Sequence, residues 1–214
     1  MQITTSKEKI LKKVREALIQ GTPQPFPQVE ATTDYYPQPE QPLEVVFAEQ
    51  FTKIQGKFVY CESLAEFRQN LDKIAHELAI EKVKVWDQKV LEFAERQNWG
   101  LIDGSSEMKS LEASLTRCEL LVARTGSVLL SSELASGRTL SIFPPIHFIL
   151  AFPDQIVFDI KDGIEILRKR YADVLPSMIN LNTGPSRTAD IEKTLVLGAH
   201  GPKSVFVFFV DEKL

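Results

Sequence analysis

From residue 43 onward, predicted helices alternate with short apolar strands, and that rhythm limits the fold more than any other feature of the chain. Residues 43–55 read as a helix and 57–61 as a strand. Residues 63–79 then form a strongly patterned helix, with Phe67, Leu71, Ile74 and Leu78 on one stripe. Ser63 followed by Glu66 is a capping-box start for it. A strand at 82–86 and a helix at 88–97 repeat the unit. A helix between two strands returns the chain so that the strands run the same way. The expected class is therefore α/β: an open, mainly parallel sheet with flanking helices. The second half is richer in strands, at 119–123, 127–131, 146–152, 156–159, 178–182 and 205–210, with a helix at 162–172.

Before residue 43 the pattern differs. Residues 6–20 repeat apolar side chains at helical spacing (Ile10, Leu11, Val14, Leu18 and Ile19). Six of the twelve prolines then fall between Pro23 and Pro42. Proline fixes φ and removes a donor, so this stretch reads as an extended arm. Its aromatic residues Phe26, Tyr35 and Tyr36 are expected to pin it to the domain or to a partner. The division expected is 1–42 for helix and arm, and 43–214 for the α/β domain.

Charge excludes some functions. Twenty-five basic residues against 29 acidic ones give a net charge of -4, which offers nucleic acid no basic stripe. No apolar run approaches the ~20 residues that span a bilayer, and the charged start lacks a secretory apolar core. A cytoplasmic location is expected. Cys61 and Cys118 stand far apart, each beside an apolar run, and read as buried inert thiols. Two cysteines fall short of the four that usually hold an iron–sulfur cluster. Three histidines, His76, His147 and His200, make a metal site unexpected, and no cofactor is expected on this chain alone. Nucleotide-binding glycine motifs, HExxH and GxSxG are absent from the sequence.

Three segments could carry chemistry. The richest spans Gly184, Pro185, Ser186, Arg187, Thr188, Ala189, Asp190, Ile191 and Glu192. A strand ends, Gly184 and Pro185 turn the chain, and a polar stretch is expected to open a helix through Leu197. Small residues, hydroxyls and a guanidinium suit a phosphate or carboxylate. Acids in a first turn suit an ordinary capped helix equally well. The second segment, Gly198 to Pro202, holds His200 beside Gly201, a possible acid or base or a plain loop histidine. The expected helix of about ten residues, roughly 15 Å long, would keep these two loops apart. The third, Arg124, Thr125 and Gly126, joins two apolar strands, and its arginine needs an acidic partner or solvent. Glu133, in a small-residue loop, is a further candidate carboxylate. His147, after Pro144 and Pro145, reads as structural.

In order, these three segments resemble the LUD family, most closely its lactate-utilisation protein C branch. The chain departs from the family at Arg124, where members often carry an acid. The resemblance implies a fold similar to the sugar-phosphate isomerase and CoA-transferase superfamily. It implies a cluster-free subunit in a three-component system that oxidises L-lactate to pyruvate, with iron–sulfur sister subunits as partners. An anionic small molecule or the partner subunits would bind through Thr125, Gly126, Gly184, Pro185, Ser186, Arg187, Thr188, Asp190, His200 and Gly201. A stand-alone enzyme for a phosphate- or CoA-bearing substrate is the alternative, with Arg187 holding the anion and His200 or Glu133 catalytic. A pure interaction module, docking through the N-terminal helix and arm, is the third reading.

Overall fold

The computed structural model describes residues 5–19, 36–107, 111–172, 174–188 and 196–214. The chain forms two compact units, Met1–Pro37 and Gln38–Leu214. In the first, helix α1 (Ser6–Ile19) buries none of its side chains. Its stripe of Ile10, Leu11, Val14, Leu18 and Ile19 is exposed. Phe26 and Tyr35 of the arm lie outside the described residues.

The second unit begins with α2 (Leu43–Lys53), β1 (Lys57–Cys61), α3 (Leu64–Glu77), β2 (Val83–Lys84), α4 (Gln88–Arg96) and β3 (Ile102–Asp103). Strands β4 (Ala113–Arg117), β5 (Leu120–Val122), β6 (Ser127–Ser131), β7 (Ile146–Ala151) and β8 (Ile156–Val157) precede α5 (Ile160–Arg170). The unit ends with β9 (Ile179–Asn182), β10 (Arg187–Thr188), β11 (Val196–Leu197) and β12 (Ser204–Val210).

Six strands in the order β1-β12-β7-β4-β2-β3 form an all-parallel sheet. Alternate residues of each strand feed opposite faces, as the pleat requires. Leu115, Phe148, Phe206 and Phe208 face α3 and α4, which contribute Phe67, Leu71, Val90 and Phe93. Ile149, Ala151, Val205, Val207 and Phe209 face the other way. There they meet Phe47 and Phe51 of α2 and a second sheet, ordered β8-β5-β6-β9. That sheet turns Leu121, Val128 and Leu130 toward the first and Leu120, Val122 and Leu129 toward Leu167 of α5. The layers thus run helices, parallel sheet, second sheet with α2, and α5. Burying each of these aliphatic and aromatic side chains contributes about 1.5–3 kcal/mol.

The helix starts follow the predicted chemistry. The Ser63 side chain accepts from the Glu66 N–H at 3.2 Å. Glu66 reaches back to the N–H of Glu62, at 2.8 Å, one residue before the expected cap. Leu78, expected on the buried stripe of α3, is 40% exposed, because the helix ends at Glu77 and Ala75 takes the inner position. Two strands escape the sequence pattern. β3 is two residues long, and β4 carries Ser114 and Thr116 where a buried strand would show apolar residues. Both hydroxyls have internal partners: Ser114 donates to the Leu140 carbonyl at 2.6 Å, and Thr116 bonds His147 Nε2 at 2.9 Å.

One expected element is corrected. The helix predicted from Ser186 to Leu197 is absent at both described ends. Arg187–Thr188 pairs with Val196–Leu197 as an antiparallel hairpin. The polar residues that suggested an acid-capped helix begin a hairpin arm instead, and Asp190, Ile191 and Glu192 lie outside the described residues.

Candidate functional site

The hairpin changes the geometry of the predicted site. Instead of standing about a helix length apart, the Gly184 and His200 segments lie side by side. The Ser186 N–H donates to the Pro202 carbonyl at 2.9 Å, and the Gly198 N–H donates to the Ser186 carbonyl at 2.9 Å. A Cβ on Gly201 would sit 3.2 Å from the Ser186 Cβ. The Arg124–Val128 segment joins the same lobe through hydroxyls. Ser127 Oγ lies 2.8 Å from Thr125 Oγ1 and 2.9 Å from Thr183 Oγ1.

Two of the three segments close on the C-terminal end of α2, and the Gly198–Pro202 segment joins them through Ser186. Gly126 has φ +60°, and a Cβ there would lie 2.5 Å from the backbone nitrogen of Phe51. Gly184 has φ +79°, and its Cβ would lie 2.9 Å from the Ile54 carbonyl oxygen. Only glycine combines that backbone with so close an approach. The Arg187 guanidinium donates to the same Ile54 carbonyl. A cation there complements the negative end of the helix and bonds one of its open acceptors. Gly184 and Pro185 are buried, while Arg187 and His200 are exposed.

The other candidates separate from this lobe. Of the two alternatives for Arg124, an acidic partner is the one found: Asp159 accepts from its Nε and Nη2, each at 2.9 Å. That arginine holds the Asp159 carboxyl below the usual carboxylate range. Asp159 also caps α5 through the Ile160 N–H. Glu133 is exposed, past the far end of β6 from Gly126. Five strand residues span roughly 17 Å, so Glu133 and Gly126 lie at opposite ends of β6. His147 is sealed in the parallel sheet, and burial pushes its pKa down to about 3. His76 is exposed on α3.

Both thiols are buried, Cys61 at 0% and Cys118 at 2% exposure. Burial raises both pKa values, that of Cys118 to about 12. Among the described residues, no cluster of three or more His, Cys, Asp and Glu side chains could hold a metal. No described helix is long and apolar enough to cross a membrane.

The structure also holds buried charged clusters that the sequence did not single out. Glu119 is 1% exposed. It accepts from Ser131 Oγ at 2.5 Å and the Tyr171 phenol at 2.7 Å, and it pairs with Arg170. Asp87, 6% exposed, accepts from Arg117 Nε at 2.7 Å. Lys84, 5% exposed, pairs with Asp103 at 2.5 Å and holds that carboxyl down at about 2. Spacing along the chain carries no trace of these pairs, which join residues from 19 to 51 positions apart.

A parallel α/β sheet backed by a second sheet, with a glycine-rich lobe against a helix end, defines the class. The LUD domain model matches residues 44–210, and the chain belongs to the LUD-domain family. It is 31% identical over 179 residues to lactate utilization protein C of Anoxybacillus flavithermus, covering 78% of this chain and 80% of the relative. It is 28% identical to lactate utilization protein C of Shouchella clausii, over 80% of both. The match to the Bacillus subtilis protein of that name is 34% identical, over 53% of this chain and 50% of the relative. The crystal structure of a DUF162 family protein from Deinococcus radiodurans shares the fold, with TM-score 0.58 and 21% identity over 81% of this chain and 99% of that one.

Proposed function

We propose that this chain is the cluster-free component of a lactate-utilisation system whose iron–sulfur-bearing partners oxidise L-lactate to pyruvate. The observation that carries the reading is its likeness to lactate utilization protein C over four-fifths of both chains. The two cysteines fit it, since they are fewer than the four that usually hold a cluster and they lie in separate hydrophobic clusters. Redox chemistry then belongs to the partners, and this chain supplies a docking surface.

The lobe formed by residues 183–188 and 196–202 is the surface we assign to that docking. Gly126, Gly184 and Arg187 seat it on α2, while His200 and the edge of Ser186 and Gly201 remain accessible. Its geometry favours docking over anion capture, because Arg187 is directed at the helix end. The test is genetic and biochemical. Deleting the gene is expected to abolish growth on L-lactate as carbon source. Tagged protein from lactate-grown cells is expected to recover cysteine-rich, iron-containing subunits, and His200→Glu is expected to reduce that recovery. Normal growth of the deletion strain on L-lactate would reject the reading.

A further inference from the structure

Lys89, Arg117, Arg170 and Lys213 converge on a crevice of about 290 Å³. Among the described residues, Asp154 is the one acidic side chain in its lining. The crevice lies beyond the carboxyl ends of four neighbouring strands. Arg117 is the last residue of β4, and Phe152 and Asp154 follow β7. Lys213 follows β12, and Lys89 lies in the first turn of the helix after β2.

At β2 and β4, which are adjacent, the chain leaves the sheet toward opposite faces. After β2, α4 sends Val90 and Phe93 into one core. After β4, Leu121 and Ala123 enter the other. Such a divergence opens a gap at the strand ends of an open α/β sheet, and ligands bind in that gap.

The cations are fixed from behind. Buried Asp87 holds Arg117, and one of its oxygens accepts from the N–H groups of Lys89 and Val90 at 3.1 and 3.3 Å. Buried Glu119 holds Arg170 while accepting from Ser131 and Tyr171. Each guanidinium has five N–H donors, so a single carboxylate behind it leaves others to face the crevice. The side chains of Arg117 and Arg170 are 30% and 42% exposed. Lys213 pairs with Asp154 at 2.8 Å on the surface, a contact that solvent weakens. Lys89 makes no ion pair among the described residues.

We infer that this crevice is a binding site for a small organic or inorganic anion bearing a carboxylate or phosphate group. Two planar forks match the paired oxygens of such a group, and two lysines add mobile point charges. The lobe proposed for partner docking uses other residues, so either assignment can fail without the other.

The test is calorimetric titration of the full chain at low ionic strength with L-lactate, pyruvate, oxalate and inorganic phosphate as separate probes. At least one probe is expected to bind with a Kd below about 1 mM. The double variant Lys89→Gln/Lys213→Gln is expected to weaken it by about tenfold or more. Both lysines are exposed, so its circular dichroism should match wild type. The same charge change at exposed Lys53 and Lys73 is expected to leave binding unaltered. Binding of the organic acids alone assigns a carboxylate site, and binding of phosphate alone assigns a phosphate site. If no probe binds more tightly than about 1 mM, or if the double variant binds like wild type, the inference is overturned.

Discussion

The α2-facing lobe and the cationic crevice use arginine in opposite senses. In the lobe, Arg187 turns inward to a main-chain carbonyl at the end of α2, and glycines bring two loops against the same helix. In the crevice, buried acids stand behind Arg117 and Arg170 and leave their remaining donors outward. The lobe is dense in motif residues and the crevice has none. What an arginine does depends on the group at its back, and that group is set by packing.

The sharpest way to break this comparison is at the lobe. Gly126→Val places a branched side chain against the Phe51 backbone at φ +60°. It is expected to cost about 3–5 kcal/mol in urea unfolding. Gly137→Val is the matched control, with φ +55° but open space around it, and should show the backbone strain alone, about 1–3 kcal/mol. Equal losses for the two would mean that α2 backs away freely.

Next in size is Glu119→Gln behind the crevice. An amide cannot accept from Ser131, Tyr171 and Arg170 together, so about 2 kcal/mol of stability should go. The figure is held down because Arg170 is 42% exposed. Arg170 should also lose its aim, and anion affinity should fall with it. Unchanged affinity would remove Arg170 from the site.

His147 tests the sheet between the two regions. Its pKa falls from 6.5 to about 3 on burial, so below pH 6.5 the unfolded chain binds a proton that the folded chain does not. Stability should therefore decline as pH drops from 6.5 toward 3. Urea midpoints at pH 7 and pH 4.5 measure the slope, and His147→Gln should flatten part of it. An identical slope in the variant would place the titration elsewhere.

The smallest effect is expected for Arg187→Ala. An exposed helix-end contact contributes about 0.5–1 kcal/mol. Crevice affinity should not change. A loss of anion binding in this variant would move the anion site back to the lobe.

Much of the fold was legible because helix and strand periods are local properties. The α3 and α4 starts, the strands around Leu121, Ile149 and Val207, and the α/β class all follow from patterning. β4 was not, because Ser114 and Thr116 find partners in Leu140 and His147, 26 and 31 residues away. The hairpin at Arg187–Thr188 was misread as a helix, since small polar residues after a proline suit either element and the pairing with Val196–Leu197 decides. For Arg124, the sequence left an acidic partner and solvent both open, and the fold supplied Asp159.

The sequence by itself determined the alternation of elements, the parallel sheet and the family, because these are written in residue type and short spacing. Only the tertiary structure decided which charges face a ligand and which close a helix. A guanidinium has the same donors everywhere, and its task is set by acids and carbonyls brought in from distant parts of the chain.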